Sequence, residues 1–362
     1  MVEQDDINYI LTKAATELKA LRGKKILLTG AGGFLGYYFT KSFLALNDKF
    51  PCNPIHLTII STFGSGFPKW LELYKNRKDL KIIKADFSIY SLSKLKKDHF
   101  DYIIHAASIA SPTFYRLDPI KTINANIQGL YVLLNYMVEM KKKYPVKDLL
   151  FFSSSEIYGD PLPGNIPTPE TYRGNVSCTG PRACYDESKR FGETLCVNYA
   201  QVYDLPIKIA RPFNNYGPGM KITDGRVIAD FSKNIIEQKN IVMFSDGTPS
   251  RTFCYVTDAI VGYLKILING KQGESYNIGV EKPEISIKEL AYKMVDIGKK
   301  HLGYKGNVLF KKSEDKQYLK DNPQRRCPVI TKARTHIGYN PEESLETGLL
   351  KTMQWYFDNY SK

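Results

Sequence analysis

The sequence predicts an α/β protein in which a doubly wound parallel sheet is followed by a smaller C-terminal substrate-binding lobe. Short apolar runs alternate with helical patterns through the first 210 residues, and a glycine-rich turn follows the first run. Alternating β and α units are typical of parallel sheets, because each parallel connection needs a crossover that a helix usually provides. From Arg211 onward the pattern becomes irregular. We therefore expect a first domain over 1–210, a lobe made mainly by 211–362, and a segment, 252–275, that returns to the first domain.

A local pattern predicts each element in turn. Apolar residues at helical spacing predict an N-terminal helix over 5–21 that Gly23 can end. Uninterrupted apolar runs predict buried strands, and these are 25–29, 55–60, 80–85, 102–106, 149–153 and 207–210. Helical periodicity predicts the segments that follow them, and the most important are 34–46, 126–141, 185–202 and 256–268.

The composition is that of a globular protein with a sizeable core, since 43% of the 362 residues are hydrophobic. No run of about 18 apolar residues is present to cross a membrane, and the acidic N-terminus lacks an apolar signal core. The six cysteines show no metal-type C-x-x-C spacing, so we expect reduced thiols and no metal site. These features predict a cytoplasmic protein with no membrane partner.

The net charge of +14 has two explanations. Solvated surface lysines account for it most simply, and attraction of a diphosphate-bearing ligand can add to it. Basic runs such as 141–143 lie at predicted helix ends, where cations are favoured, and no stacking aromatic residues interleave them. We therefore expect no nucleic-acid partner.

Gly30, Gly33 and Gly36 form a G-x-x-G-x-x-G turn between the first strand and the helix that follows it. Such a turn lets the backbone approach a pyrophosphate at a helix N-terminus, which predicts a dinucleotide-binding sheet of the Rossmann type. Further cofactor contacts are expected beside this turn, at the ends of later strands and on a later helix. These candidates are Phe34, Leu35, Ser61, Asp86, Phe87, Ala106, Ala107, Asn126, Ser153 and Pro212.

Ser61 stands where NAD-binding folds usually place Asp or Glu for the ribose 2′-hydroxyl. A serine can bond to that hydroxyl or tolerate a 2′-phosphate, but no arginine follows closely to clamp a phosphate. The sequence therefore favours NAD and leaves NADP open. Asp86 also has two interpretations, a contact with the adenine end of the cofactor or a helix cap.

Tyr185 and Lys189 lie four residues apart, so a helix would direct both side chains toward one site. A nearby ammonium lowers the pKa of a phenol, and we expect Lys189 to make Tyr185 a base that oxidises a carbinol beside a nicotinamide. Ser154 follows a predicted strand, and its hydroxyl is expected to bond to substrate beside Tyr185. Glu156 is expected either to move a proton at a neighbouring carbon or to cap the following turn.

These motifs resemble those of the extended short-chain dehydrogenases/reductases of the nucleotide-sugar epimerase/dehydratase family and, within it, of the UDP-glucuronate decarboxylases (UDP-xylose synthases). The resemblance covers the chain from about Lys24 onward. It depends on SSSEIYGDP at 153–161, GPRACYDESKR at 180–190, DGRV at 224–227, RTFCYVTD at 251–258 and DNPQRRCP at 321–328.

The resemblance implies that Tyr185 takes a proton from the sugar C4 hydroxyl while hydride passes to NAD, with Lys189 holding both the phenolate and the nicotinamide ribose. A uronic acid would then lose its carboxylate as CO2, with Glu156 and Ser155 helping to expel it and to direct protonation at C5. Hydride then returns to C4, so tightly bound NAD is recycled. Contacts with a UDP-sugar are implied for Tyr115, Asn214, Arg226, Val227, Arg251, Tyr255 and Arg325.

Four other functions remain open. A 4,6-dehydratase also suits a Ser-Ser-Glu triplet, whereas a 4-epimerase needs no carboxylate at this strand end. The third is a non-catalytic NAD-sensing protein, because a fold does not guarantee chemistry. The fourth is a dehydrogenase that releases NADH in each cycle.

The resemblance also implies a homodimer formed by the helices at 126–141 and 185–202. Apolar residues on the first of these helices either form that interface or pack on the protein's own sheet. They are Leu130, Leu133, Leu134 and Met137.

Overall fold

A parallel seven-stranded sheet forms the centre of the chain in this computed structural model, which describes residues 2–64, 66–311 and 321–360. In chain order the strands are β1 (Lys25–Thr29), β2 (His56–Ser61), β3 (Leu80–Lys84), β4 (Tyr102–His105), β5 (Asp148–Phe152), β6 (Ile207–Pro212), β7 (Asn215–Tyr216), β8 (Ile241–Met243), β9 (Ser250–Arg251), β10 (Cys254–Tyr255), β11 (Ser275–Ile278), β12 (Ile285–Ser286), β13 (Val308–Phe310) and β14 (Arg325–Arg326). The central sheet has the order β11-β6-β5-β4-β1-β2-β3, and its strands pair in parallel.

Helices connect these strands and cover both faces of the sheet. In chain order they are α1 (Val2–Lys13), α2 (Ala15–Leu21), α3 (Phe34–Lys49), α4 (Lys69–Glu72), α5 (Leu92–Leu95), α6 (Pro112–Leu117), α7 (Pro119–Met140), α8 (Ala183–Tyr203), α9 (Val227–Ile236), α10 (Val256–Asn269), α11 (Ile287–His301), α12 (Thr331–Ile337) and α13 (Leu345–Tyr360). Short 3-10 helices occur at Phe87–Ile89, Ser155–Tyr158 and Pro163–Asn165.

The central strands read as apolar runs because both faces of the sheet are buried. Along β1, Ile26 and Leu28 pack into the core that α1, α3 and α10 cover, whereas Leu27 packs into the core beneath α7 and α8. Two cores on opposite faces of one parallel sheet define a doubly wound α/β fold, as the sequence predicts.

The predicted strands differ from the observed ones by two residues at most, but the sequence analysis missed β11. This strand, Ser275–Ile278, pairs with β6 and begins where the predicted returning segment, 252–275, ends. Its four residues include Ser275 and Asn277, and this short polar-containing run lacks the apolar signal of a central strand. The return to the main sheet therefore extends beyond 275.

The predicted N-terminal helix is divided at Ala14 into α1 and α2. The division is slight, because the Ala14 N–H still donates to the Ile10 carbonyl at 3.0 Å. This helical segment packs against α3 and α10 of the main domain. No helix in the described ranges is both long and apolar enough to cross a membrane.

The lobe after β6 is built on short strand pairs rather than on a second large sheet. One of its sheets has the order β12-β9-β14, and in it Arg326 of β14 is the register partner of Arg251 of β9. A bridge between Thr168 and Pro328 ties the same segment to the main domain. The chain after residue 320 therefore returns to the carboxyl edge of the central sheet.

Candidate active site

The glycine turn brings the N-terminus of α3 to the carboxyl ends of β1 and β4. Gly30 has a φ of +79°, and a Cβ on it would lie 2.6 Å from backbone atoms of Ala106 and Ala107. A Cβ on Gly36 would lie 2.5 Å from the Ala31 Cα, so a side chain there would separate the helix from the turn. Since α3 begins at Phe34 with no side-chain cap, its first N–H groups remain for an anion, and the turn fits a pyrophosphate.

The predicted cofactor residues gather at the carboxyl edge of the sheet. Ser61 and Pro212 are the last residues of their strands. Five other candidates lie in the loops that follow strands, and these are Asp86, Phe87, Ala106, Ala107 and Ser153. The Ser153 hydroxyl is buried and has no hydrogen-bond partner among the described residues, so it is available to a ligand. Asn126 lies on α7, where it accepts a hydrogen bond from Ser108 and donates one to Ser188, each at 2.7 Å.

Asp86 adopts the capping role that was one of its two interpretations. Its Oδ1 accepts hydrogen bonds from the Ser88 N–H at 2.9 Å and the Ser88 hydroxyl at 2.7 Å. These bonds fix the 3-10 helix that starts at Phe87. Ser61 is held in a similar local turn, because its Oγ accepts from the Phe63 N–H at 3.4 Å.

Tyr185 and Lys189 lie on the same face of α8, both buried beneath the end of β5. The Lys189 Nζ donates to the Phe152 carbonyl at 2.8 Å and lies 5.8 Å from the centre of the Tyr185 ring. Burial lowers the pKa of Lys189 to about 7. Burial raises the pKa of Tyr185 to about 12, although a hydrogen bond with Ser154 lowers it. We expected Lys189 to lower the pKa of the Tyr185 phenol. That expectation is wrong for the protein without its cofactor, because the burial of both side chains has the larger effect and leaves the pKa of Tyr185 above its ordinary value.

Tyr115 stacks on Tyr185, with the ring centroids 5.1 Å apart and the planes within 14°. The segment that carries it, α6, is fixed to the loop before α9 by a hydrogen bond from the Ser111 hydroxyl to the Asp224 carbonyl at 2.5 Å. The Tyr115 hydroxyl is buried and has no hydrogen-bond partner among the described residues. The structure thus places a second phenol beside the predicted base, and the role of Tyr115 as a substrate contact stays a prediction.

Glu156 lies in the 3-10 helix after β5 and is bound by two arginines. Arg182 and Arg326 both donate to its Oε2, the latter at 2.9 Å. Burial raises the pKa of this carboxyl, but the charges of the arginines outweigh burial and hold the pKa well below its usual range. Ser154, and not Glu156, caps the turn, since the Ser154 Oγ accepts from the Glu156 N–H at 3.1 Å. Glu156 is therefore an anion in the site.

Arg326 is the main functional candidate that the sequence analysis missed. Its side chain is 2% exposed and also donates to the carbonyls of Ser155 and Gly159. The adjacent Arg325 was chosen instead, but it points to the opposite face of β14 and forms a bidentate ion pair with Glu284 at 2.8 and 2.7 Å. Successive residues of a strand face opposite sides of the sheet. Two adjacent arginines therefore indicate that one of them faces the site, but the sequence does not show which one.

Arg182 was also missed as an individual candidate, although it lies within the GPRACYDESKR motif. It bridges Glu156 and Asp186, and its guanidinium lies 5.8 Å from the Tyr115 ring centre. Arg251, a predicted substrate contact, adds a further positive charge near Glu156. Its side chain is buried and donates to the Ser250 carbonyl at 2.7 Å.

Of the remaining predicted substrate residues, Arg226 and Val227 lie at the start of α9, whereas Asn214 contacts the backbone of the lobe. Arg226 forms an ion pair with Asp224 at the start of α9, beside Val227, and its charge lowers the pKa of Tyr185. Asn214 has a φ of +42°, and its side chain donates to the Thr252 carbonyl at 2.9 Å, which holds the lobe backbone.

Tyr255 lies away from the Glu156 cluster, and its surroundings do not support a substrate contact. Its hydroxyl donates to the Asp6 carboxylate at 2.9 Å, and its side chain is 1% exposed. Asp6 belongs to α1, whose docking on the main domain the sequence pattern alone did not locate.

Residues 26–279 match the NAD dependent epimerase/dehydratase family. The chain belongs to this family. The UDP-glucuronic acid decarboxylase 1 of Xenopus tropicalis is 34% identical over 335 residues, which cover 92% of this chain and 72% of that protein. The UDP-glucuronic acid decarboxylase 6 of Arabidopsis thaliana is 35% identical over 326 residues, which cover 90% of this chain and 86% of that protein.

Solved structures of other epimerase/dehydratase proteins have the same fold. The UDP-glucuronic acid 4-epimerase from Bacillus cereus, in complex with UDP-glucuronic acid and NAD, matches with a TM-score of 0.74 at 28% identity and covers 93% of this chain and 100% of that one. An epimerase from Methanothermobacter thermautotrophicus matches with a TM-score of 0.79 at 25% identity and covers 97% of each chain. The family is NAD-dependent, and the glycine turn and the Ser153 hydroxyl fit that cofactor, so NAD is the cofactor of this chain.

Proposed function

We propose that this chain is a UDP-glucuronate decarboxylase that releases CO2 and forms UDP-xylose or the related 4-keto pentose. The observation that carries the proposal is the position of the Glu156 carboxylate between Arg182 and Arg326, two residues after Ser154. Ser154 bonds to Tyr185, so a group suited to C4 chemistry and a charged cluster suited to a C5 carboxylate are neighbours.

We assign Tyr185 as the base for oxidation at C4. NAD would supply the hydride acceptor: formation of UDP-xylose returns the hydride to C4 with no net redox change, whereas release of the 4-keto pentose would leave the cofactor as NADH. The Tyr185 phenolate takes the proton of the C4 hydroxyl and becomes a neutral phenol. Before this transfer, the hydrogen bond from Ser154 and the positive charge of Arg226 stabilise the phenolate. Stacking on Tyr115 fixes the plane of the phenol ring.

For the loss of CO2, we assign Arg182, Arg326 and Glu156 to the C5 side of the sugar. In a 4-keto uronic acid the C5–carboxylate bond breaks, its electron pair forms the enolate, and a proton from water then adds to C5. We assign Arg182 and Arg326 to holding the carboxylate before it leaves. Because Glu156 stays ionised, we assign it to orienting these arginines and opposing the substrate's negative charge, rather than to donating the proton.

The relatives support this choice of substrate. The Xenopus and Arabidopsis relatives are named as UDP-glucuronic acid decarboxylases, and the Bacillus cereus structure contains UDP-glucuronic acid. That structure is of a 4-epimerase, so UDP-glucuronate 4-epimerisation is the second candidate. We rank it lower because inverting C4 requires no carboxylate such as Glu156 at this strand end.

The test is incubation of the purified protein with UDP-glucuronate, with and without added NAD, while CO2 and the mass of the sugar nucleotide are followed. We expect loss of the mass of CO2, abolished by Tyr185→Phe and strongly reduced by Glu156→Gln. An unchanged mass with an altered C4 configuration would identify an epimerase instead. Activity without added NAD would support retention of the cofactor through the cycle, whereas loss of water from a nucleotide hexose would indicate a dehydratase.

We also propose a homodimer formed by α7 and α8, but not through the residues that first suggested it. Leu130, Leu133, Leu134 and Met137 are at most 1% exposed and pack on the protein's own sheet. Other apolar residues on these two helices are exposed and suit an interface; they are Ile120, Ile123, Tyr131, Phe191, Val202 and Tyr203.

A further inference from the structure

Asp186 is a second carboxyl group in the arginine cluster, and the reaction described above gives it no role. It follows Tyr185 on α8, and its side chain is 6% exposed. Its Oδ2 lies 3.6 Å from the Arg182 Nε, while its Oδ1 is buried without a hydrogen-bond partner among the described residues. Arg182 therefore lies between two carboxyl groups, those of Asp186 and Glu156.

These two carboxyl groups have opposite electrostatic preferences. Burial and the charge of Glu156 raise the pKa of Asp186 to about 7, although Arg182 and Arg326 lower it. The charge of Asp186 raises the pKa of both Tyr115 and Tyr185, so these two phenols are its titratable neighbours. A buried carboxyl that shares a neighbouring arginine with a second, more strongly bound carboxyl takes up a proton more readily when a further negative charge enters the cluster.

We propose that Asp186 takes up a proton when a carboxylate-bearing sugar nucleotide binds, which makes the binding of such a substrate depend on pH. The inference rests on the proposed function. An incoming C5 carboxylate adds a negative charge beside Arg182, and protonation of Asp186 leaves that guanidinium to Glu156 and the substrate. A neutral hexose on the same nucleotide adds no such charge and requires no proton. The proton comes from solvent, and Asp186 returns to its ionised form after CO2 and product leave.

The test is calorimetric titration of the NAD-loaded Tyr185→Phe protein, in which turnover is blocked, at pH 7.5 in two buffers of different ionisation enthalpy. We expect UDP-glucuronate to bind with uptake of roughly half a proton or more and UDP-glucose with about none. The dissociation constant for UDP-glucuronate should rise about tenfold between pH 6 and pH 8. Adding Asp186→Asn should remove both effects and also separates Asp186 from Lys189, which titrates in the same range.

Glu187→Gln is the matched control, because Glu187 is the next residue on α8 and forms a half-exposed pair with Arg190. This substitution should leave the proton uptake unchanged. Equal uptake with both ligands, or uptake that persists in the Asp186→Asn protein, would overturn the inference. If Asp186→Asn impairs folding, the difference in proton uptake between UDP-glucuronate and UDP-glucose, measured on the protein that retains Asp186, still tests the inference. Failure of UDP-glucuronate to bind, while another nucleotide sugar does, would overturn the proposed function instead.

Discussion

Arg326 and Arg251 are register partners in the parallel strands β14 and β9, yet their guanidinium groups have different partners. Arg326 donates to the Glu156 carboxylate, whereas Arg251 donates to backbone carbonyls of the lobe. The charges of both arginines lower the pKa of Glu156. The chain after residue 320 pairs with β9, and this pairing positions the Arg326 charge that keeps Glu156 ionised. The small lobe therefore sets the electrostatics of the active site.

Replacing Arg326 should remove activity far more than replacing its neighbour. Arg326→Lys loses the forked contacts with Glu156 and two carbonyls, and we expect kcat to fall about a hundredfold or more. Arg325→Lys changes an exposed ion pair and should alter kcat by less than about threefold. Steady-state kinetics with UDP-glucuronate measures both effects.

Equal losses in the Arg325 and Arg326 variants would contradict the assignment of opposite faces of β14. Thermal unfolding serves as the control, because a buried arginine whose carboxylate partner remains is also expected to affect stability. A kcat loss in a variant that is still folded at the assay temperature separates the two effects.

Gly36 and Gly33 should respond differently to alanine. A Cβ on Gly36 would meet the Ala31 Cα at 2.5 Å, whereas the nearest atom to a Cβ on Gly33 is the Gly30 oxygen at 3.2 Å. We expect Gly36→Ala to lower the free energy of unfolding by about 1–3 kcal/mol and Gly33→Ala by less than about 1 kcal/mol. Both should weaken NAD binding, which fluorescence titration measures. A Gly36→Ala protein with unchanged stability would show that the turn can shift without cost.

Local patterns predict what depends on neighbours in the sequence, and fail where distant segments meet. The four-residue spacing of Tyr185 and Lys189 correctly gave one helix face, and the apolar runs gave six of the seven central strands. The choice between Arg325 and Arg326 depends on how β14 pairs with β9, which no local pattern encodes. The raised pKa of Tyr185 likewise follows from burial that only the assembled site creates.

A charge on the exposed face of α7 and α8 should keep the protein monomeric. Phe191 is 45% exposed on α8, and Phe191→Glu would place a carboxylate in the proposed dimer interface. Leu73→Glu is the control, because Leu73 is 80% exposed and follows α4. Light scattering should give a dimer for the parent and the Leu73 variant and a monomer for the Phe191 variant. A monodisperse monomer for all three would refute the homodimer.

Asp6 should make the stability of the protein depend on pH through the docking of α1. Its buried carboxyl accepts hydrogen bonds from Tyr38 of α3 at 2.8 Å and from Tyr255 at 2.9 Å. Burial nevertheless raises its pKa to about 6. A carboxyl whose folded pKa lies above its unfolded pKa stabilises the fold at low pH, and this contribution is lost as the pH rises through the folded pKa.

Asp6→Asn removes this titration while keeping a side chain of similar shape. Relative to the parent, the variant should gain up to about 3 kcal/mol in the free energy of unfolding between pH 4 and pH 7. Urea unfolding at several pH values measures the difference, with Asp5→Asn as the control because Asp5 is exposed on the same helical turn. If the stability difference between the Asp6 variant and the parent were constant with pH, the carboxyl would be titrating as it does in the unfolded chain, and the Tyr38 and Tyr255 hydroxyls would have to offset its burial completely.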